Sequence, residues 1–387
     1  MLIRNYLICS IFCLFLCNCK SENNYKNRYT LKKSDESIVI NLNSNSTNKS
    51  VCIQYLLAND SNYLAILRNK YRAIELFNLD SKKLSRVTEI KKEGPNAFST
   101  SYGFVMKNID TMYVIGVSPQ EVGVFTGNGE ITRRIPYGKD SYGRRVNPSL
   151  SGLGSRPIIY GDSLFLVPAV TAGESSGIFN SSNQEHSSVS ISINLNTFES
   201  RASTLKVPQE FIGKDITGIN VWREIGNKNC FIYSFSLSDE LFITYDHINF
   251  KKIPIETNYK FQLREDLSKY SSRGFNAAME YIFSKDEVIN ILYDKFRSCY
   301  YIVVNKRISN FPKEVDYRLY GVYPSFFIII LDKNFKHEGE VYFPEDLYNC
   351  KMMFITKEGL YISEDNINNP SFNEDIMRFR LFTLEKL

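Results

Sequence analysis

Histidine occurs three times and tryptophan once in 387 residues, against 25 tyrosines and 27 phenylalanines. So little imidazole removes the commonest base and metal-ligand chemistry. His247 and His337 fall in the polar stretches Asp246-His-Ile-Asn and Phe335-Lys-His-Glu, which predict exposed hairpin tips. His186 lies in the polar loop 180–188. No Cys-x-x-Cys pair and no Gly-x-Ser-x-Gly elbow occurs. The glycine-rich segments at Gly152 and Gly173 lack the strand-to-helix context of a phosphate cradle. No cofactor or metal is therefore expected. Basic residues are scattered rather than clustered, so no nucleic-acid partner is expected either.

The first twenty residues carry the sharpest signal. Arg4, an apolar run over residues 6–16 and the tetrad Leu16-Cys17-Asn18-Cys19 have the layout of an export signal. Asn18, Lys20 and Glu22 interrupt the run well short of the roughly 20 apolar residues that a spanning helix needs. The tetrad resembles the lipobox of bacterial lipoproteins, although Asn18 stands where a smaller residue is usual. By that resemblance the Cys19 thiol receives a diacylglycerol and becomes the mature first residue. Cys17, three residues after Leu14, is the competing acceptor, and a plain secretory signal is the remaining alternative. The expected organisation is a signal peptide over 1–18, a lipidated flexible tether over 19–36 and one folded domain over 37–387. The expected address is the outer membrane, facing the periplasm or the exterior, because two or three acyl chains hold a protein there almost permanently. Loss of Arg4 leaves 46 basic against 42 acidic side chains, nearly balanced.

Four cysteines remain beyond the signal: Cys52, Cys230, Cys299 and Cys350. Their wide separation favours buried thiols. If one bridge forms, Cys52 with Cys350 is the expected pair, since a closed ring would bring the first and last repeats together.

The mature chain reads as strand almost throughout. Val189, Ile191, Ile193 and Leu195 alternate with Ser190, Ser192 and Asn194, and Met377, Phe379 and Leu381 alternate with Arg378 and Arg380. A period of two marks half-buried strands. The run Phe326-Phe-Ile-Ile-Ile-Leu331 suits a strand covered on both faces. A hairpin unit recurs with a turn marked by Asp80, Asn128, Asn196, Asp246, Asp294 and Asp332, often preceded by a strand such as Asp110-Thr-Met-Tyr113 or Asp162-Ser-Leu-Phe165. Four strands per unit of about 40–50 residues is the period of a β-propeller blade. The fold class is thus all-β, a propeller of six or seven four-stranded blades, with two packed β-sandwiches as the competing architecture. Residues 377–384 are expected to pair near residues 37–42, closing the ring with both chain ends.

Four segments carry a family resemblance: Lys92-Glu-Gly-Pro-Asn-Ala-Phe98, Asn108-Ile-Asp-Thr-Met-Tyr-Val114, Val322-Tyr-Pro-Ser-Phe-Phe-Ile-Ile-Ile-Leu-Asp332 and Gly359-Leu-Tyr-Ile-Ser-Glu-Asp365. They resemble the bacterial lipoproteins grouped as domain of unknown function 4221. The resemblance implies a six-bladed propeller over most of the mature chain and transfers no activity or catalytic residue.

Long insertions are the best candidates for function. Residues 138–147 and 151–156 precede one strand, 171–188 follow it, and 258–286 mix aromatic and basic side chains. Some helix is expected within 266–283. Arg144, Arg145, Arg156, Tyr270 and Arg273 are the expected ligand-binding residues, because Arg grips carboxylates and pairs with aromatic faces. The acid pairs Glu364-Asp365 and Glu374-Asp375 are expected on a solvated surface. The sequence thus points to a membrane-anchored binding or scaffold module for a protein, peptide or glycan. The alternative is a propeller enzyme of lyase or glycosidase type acting on glycans or peptides.

Overall fold

The computed structural model describes residues 25–43, 46–48, 50, 52–68, 72–98, 100–118, 120–139, 155–166, 188–211, 221–236, 238–263, 265, 270, 272–308 and 325–387. The first strand, β1 (Tyr29–Asn41), stands apart from its sequence neighbours. Blade 1 follows with β2 (Ile53–Ala58), β3 (Ser61–Arg68), β4 (Ala73–Asn78) and β5 (Lys83–Glu89). Blade 2 holds β6 (Thr100–Asn108), β7 (Thr111–Ser118), β8 (Glu121–Thr126) and β9 (Ile131–Pro136). Blade 3 holds β10 (Ile158–Tyr160), β11 (Ser163–Leu166), β12 (Ile191–Asn194) and β13 (Ser200–Ala202). Blade 4 holds β14 (Val221–Ile225), β15 (Phe231–Phe235), β16 (Glu240–Thr244) and β17 (Lys251–Pro254). Then come helix α1 (Phe275–Phe283) and blade 5, made of β18 (Glu287–Asp294), β19 (Cys299–Asn305), β20 (Phe326–Asp332) and β21 (His337–Phe343). Blade 6 combines β22 (Asn349–Ile355), β23 (Leu360–Ser363) and β24 (Ile376–Lys386) with β1.

Each blade is a four-stranded antiparallel sheet, and the six sheets form a β-propeller. Burial follows from that arrangement. Middle strands such as β15 and β20 are covered on both faces by neighbouring blades, which is why they are apolar or aromatic apart from Ser234 and the terminal Asp332. The outer strand β5 alternates exposed with half-buried positions. Six apolar clusters fill the six gaps between blades. One joins blades 1 and 2 through Leu67, Leu76, Phe104 and Val114, and another joins blades 4 and 5 through Ile232, Ile243, Ile291 and Ile302. The cluster between blades 6 and 1, with Ile40, Leu64, Phe77, Phe354, Phe379 and Met377, completes the circle. No blade is left with an uncovered face, the physical requirement that a ring satisfies and an open stack does not.

Both chain ends make the closing blade. β1 pairs with β24 from Tyr29↔Lys386 to Asn41↔Ile376, with a bulge between Lys33 and Ser37. Ile38 meets Phe379 and Ile40 meets Met377, the non-sequential pairing expected from the sequence. The strand starts earlier than the boundary at residue 37, so residues 29–36, expected as tether, belong to the ring. Ahead of them Tyr25 is held by Asn258, whose Oδ1 accepts from the Tyr25 backbone at 2.7 Å and whose Nδ2 donates back at 2.8 Å. A Cβ at Gly339 would overlap the Tyr29 carbonyl, so this lead-in lies tight against β21.

Several expectations need correction. The hairpin markers do not count blades one for one: Asp294 turns β18 into β19, whereas Asp332 turns β20 into β21, so both belong to blade 5. The two turns look alike in sequence because each Asp accepts from the backbone two or more residues on, Asp294 Oδ1 from Phe296 and Arg297 N–H, Asp332 Oδ1 from Asn334 and Lys336 N–H. The blade count is six. Cys52 and Cys350 are free, buried thiols. Cys52 faces blade 2, with Sγ 4.0 Å from the Phe104 carbonyl, while Cys350 faces blade 5, with Sγ 3.4 Å from Asn305 Oδ1. They flank the closing junction but point away from each other around the ring.

The two described histidines are not exposed tips. His337 is buried, its Nε2 3.2 Å from Glu340 Oε1 and its ring covered by Tyr25. His247 packs half-buried against Phe231 and Phe165, with ring centroids 4.5 and 5.1 Å away. Turns of one blade lean on the next, which polar composition alone does not show. Glu364 and Asp365 are likewise buried, whereas Glu374 and Asp375 are exposed.

Candidate functional site

Antiparallel strands in sequence order send successive connections to opposite edges of each sheet. One edge carries the tight hairpins, first strand to second and third to fourth. Positive-φ residues concentrate there: Asn59, Asp60, Lys82, Gly129, Phe198, Lys228, His247, Ser298 and Phe335. The other edge carries the second-to-third connection and the crossing to the next blade. Every long connection falls on this edge: residues 137–157, 167–190, 203–220, 255–286, 306–325 and 364–375.

The connection 255–286 is rooted by Asp286, 1% exposed at the head of β18. Its carboxylate accepts from Tyr259 OH at 2.8 Å, Gln262 N at 2.6 Å, Arg307 N at 3.0 Å and Arg307 Nη1 at 3.0 Å. Burial, reinforced by this carboxylate, pushes the Tyr259 phenol well above its ordinary range. From that root the chain reaches α1, and Tyr281 OH accepts from Glu265 N at 3.0 Å. Tyr270 stacks on Tyr281 with centroids 3.8 Å apart and rings within 8° of parallel. The Arg273 guanidinium lies 5.6 Å from the Tyr270 ring and Lys285 Nζ lies 5.5 Å from the Tyr281 ring. The result is a paired aromatic ledge with a cation at each ring, and Arg273 is exposed. Tyr270 and Arg273 thus lie side by side.

Arg156 belongs elsewhere. It precedes β10 and lines a cavity of about 420 Å³ among the inner strands, with Ile53 to Leu56 of β2, Phe104 to Lys107 of β6, Pro157 to Ile159, and Glu224 of β14. Arg156 Nη2 donates to Glu224 Oε2 at 2.5 Å, and Ile225 N donates to Glu224 Oε1 at 2.9 Å. Behind this pair Arg223 is 1% exposed. It donates to Ser190 Oγ at 3.0 Å and to the carbonyls of Phe165 at 3.0 Å and Leu166 at 3.5 Å. Burial pulls its guanidinium below the usual value. Gln54 bridges blades 1 and 2 by accepting from Met106 N at 2.7 Å and donating to Met106 O at 3.1 Å.

Sequence reasoning did not single out Arg223, Glu224, Lys107 or Gln54. The available signal was the charged pair Arg223-Glu224 inside a strand whose neighbours are buried. Cys19, Arg144, Arg145 and His186 lie outside the described residues. Among the described residues no group of three or more His, Cys, Asp or Glu converges on a common point, and no His lines the cavity.

A family model described as "Domain of unknown function (DUF4221)" matches residues 28–342. A DUF4221 member from Bacteroides vulgatus superposes with a TM-score of 0.83 at 22% identity, covering 94% of this chain and all of its own. A putative exported protein from Bacteroides fragilis superposes with a TM-score of 0.51 at 12% identity, covering 93% of this chain and 95% of its own. Among curated proteins none matches the sequence. With six blades in place and the family model spanning most of the ring, the chain belongs to the DUF4221 family.

Proposed function

We propose that this chain is a lipid-anchored protein of the bacterial outer membrane whose propeller binds a protein, peptide or glycan partner through the face that gathers the long connections. The observation that carries the reading is the segregation of all long connections to one edge of the sheets, with the exposed Arg273 and the Tyr270–Tyr281 stack among them. Loops held by a rigid scaffold are where binding residues concentrate. Tyr270, half-exposed on the buried Tyr281, offers an aromatic contact for sugar rings or peptide planes, and Arg273 and Lys285 add attraction for acidic groups.

The anchor follows from the lipobox-like tetrad at Cys19. No helix among the described residues is long and apolar enough to cross a membrane. Two experiments test the two halves. Cys19→Ala is expected to release the protein from membranes and abolish lipid labelling; persistent labelling would move the anchor to Cys17. Peptide and glycan arrays probed with the protein should give ligands whose binding falls when Tyr270 and Arg273 are replaced by Ala. Combined replacement of Arg144, Arg145 and Arg273 should weaken acidic ligands most. Unchanged binding in both variants removes this face as the site.

A further inference from the structure

We propose that the central cavity is a second binding site, for a small anion carrying a carboxylate or phosphate group, with Arg156 as its main ligand and Lys107 as a supporting charge. This extends the binding reading to a place the ledge does not reach.

Three observations carry it. The cavity of about 420 Å³ has the size of a small-molecule site, and its walls come from the inner strands of blades 1, 2 and 3 with Glu224 from blade 4. Its charge is unbalanced. Lys107, Arg156 and Glu224 line it, and Arg223 stands directly behind, with Nη2 3.5 Å from the Arg156 carbonyl. Arg223 is held by carbonyl and hydroxyl oxygens, so Glu224 is the one carboxylate among the cavity-lining residues set against three cations. Excess positive charge in a recess with low-dielectric walls concentrates anions.

The third observation is the geometry of the ion pair. Glu224 takes a single terminal nitrogen of Arg156 rather than both, and shares its other oxygen with Ile225 N. A pair built only to hold blades together gains most from a two-pronged, fully buried contact. Here the Arg156 side chain is 32% exposed against 10% for Glu224. The guanidinium therefore keeps a donor edge towards the cavity that matches the two oxygens of a carboxylate or phosphate. Gln54, with its amide spent on Met106, sets the spacing of the walls and takes no part in recognition. Leu56, Ile158 and Ile159 supply an apolar wall for the body of an organic acid.

Because Glu224 competes with the ligand for Arg156, its removal has an unusual predicted sign. Calorimetric titration of the full chain in detergent, at constant ionic strength, with succinate and separately with inorganic phosphate, tests this. Binding of either anion is expected, and which one binds identifies the head group. Arg156→Ala should weaken it by about tenfold or more, consistent with loss of a charge-assisted pair. Arg156→Lys, which keeps the charge and the fold but loses the fork, should give an intermediate loss. Glu224→Gln should strengthen binding several-fold, whereas Arg273→Ala on the ledge should leave it unchanged. Absence of binding by both anions in wild type and Glu224→Gln overturns the proposal, as does equal affinity in wild type and Arg156→Lys. Neither result bears on the ledge, whose partner binding is read on the arrays.

Discussion

The two faces of the ring are built from the same strands but solve different problems. On the hairpin face, turns are short and tied to the next blade. Arg86 Nη1 of blade 1 reaches Asp110 Oδ1 of blade 2 at 3.1 Å. Asn227 N of blade 4 donates to Tyr300 OH of blade 5 at 2.8 Å. Arg297 of blade 5 donates to the carbonyls of Thr356 and Lys357 of blade 6 at 3.3 and 2.7 Å. On the opposite face, the buried Asp286 roots the 255–286 connection at its base, and the exposed Arg273 lies further out. The hairpin turns add latches between blades, and the other edge carries the chain's longest insertions. The difference shows how a closed fold accepts large insertions: blade-to-blade stability comes from apolar gaps and hairpin latches, so the remaining edge is free to vary.

The comparison can be broken most severely at the closing junction, which both faces share. Phe379→Ala, in a fully buried site against Phe354 at 5.0 Å, should cost about 3–5 kcal/mol in urea unfolding. A loss below 1 kcal/mol would mean that the ring does not depend on its clasp. Next comes a hairpin latch. Asp294 is fully buried and holds Arg297 Nη1 at 2.7 Å. Asp294→Ala should cost about 3 kcal/mol by stranding that cation, and should loosen blade 5 from blade 6 without changing array binding.

The long-connection face should give the opposite sign at one site. Burial raises Asp365 to about 7, against the lowering effects of Ser363 and of Arg378, whose backbone N–H lies 3.3 Å from both carboxylate oxygens. The folded state keeps a proton that the unfolded chain gives up near pH 4, so stability is full below that pH and declines as pH rises towards 7. Asp365→Asn should remove that decline, a gain of up to about 4 kcal/mol at pH 8 and little change at pH 4. Thermal melts across this range check it, and a parallel pH dependence in both proteins would contradict it.

A smaller effect tests turn geometry on the hairpin face. Gly129 has φ of +84°, and a Cβ there would sit 2.9 Å from the Glu89 carbonyl. Gly129→Ala should destabilise by about 1–2 kcal/mol. At the small end, Arg273→Ala should alter stability by less than about 0.5 kcal/mol while reducing ledge binding. Loss of fold in that variant would erase the division between the faces.

Much of this architecture was legible in the sequence because propeller blades repeat one physical pattern. Unbroken apolar runs marked strands covered on both sides, alternation in Met377 to Leu381 marked the closing strand, and Asp or Asn at the turns marked hairpins. The phase of the repeat was harder to read, since Asp294 and Asp332 make the same turn at different places in one blade. Burial of His247, His337, Glu364 and Asp365 was hidden for a related reason. His247 is covered by Phe165 of the preceding blade and His337 by Tyr25 ahead of β1, while Glu364 and Asp365 are held by Arg380, Arg378 and Ser363 of their own blade, and such contacts have no local signature. Of the expected ligand residues, Tyr270 and Arg273 share the ledge because they lie close together in one insertion. Arg156 was separated from them by the ring itself, and its partner Glu224 arrives from another blade.

Native-state hydrogen exchange tests the division of labour most directly, because it reports every blade in one experiment. Amides of β1 and β24 and those at the hairpin latches should exchange only through global unfolding, while the backbone between residues 256 and 285 opens at much lower free energy. Equal protection of the two faces, or a β1 that exchanges as freely as the ledge, would contradict the account.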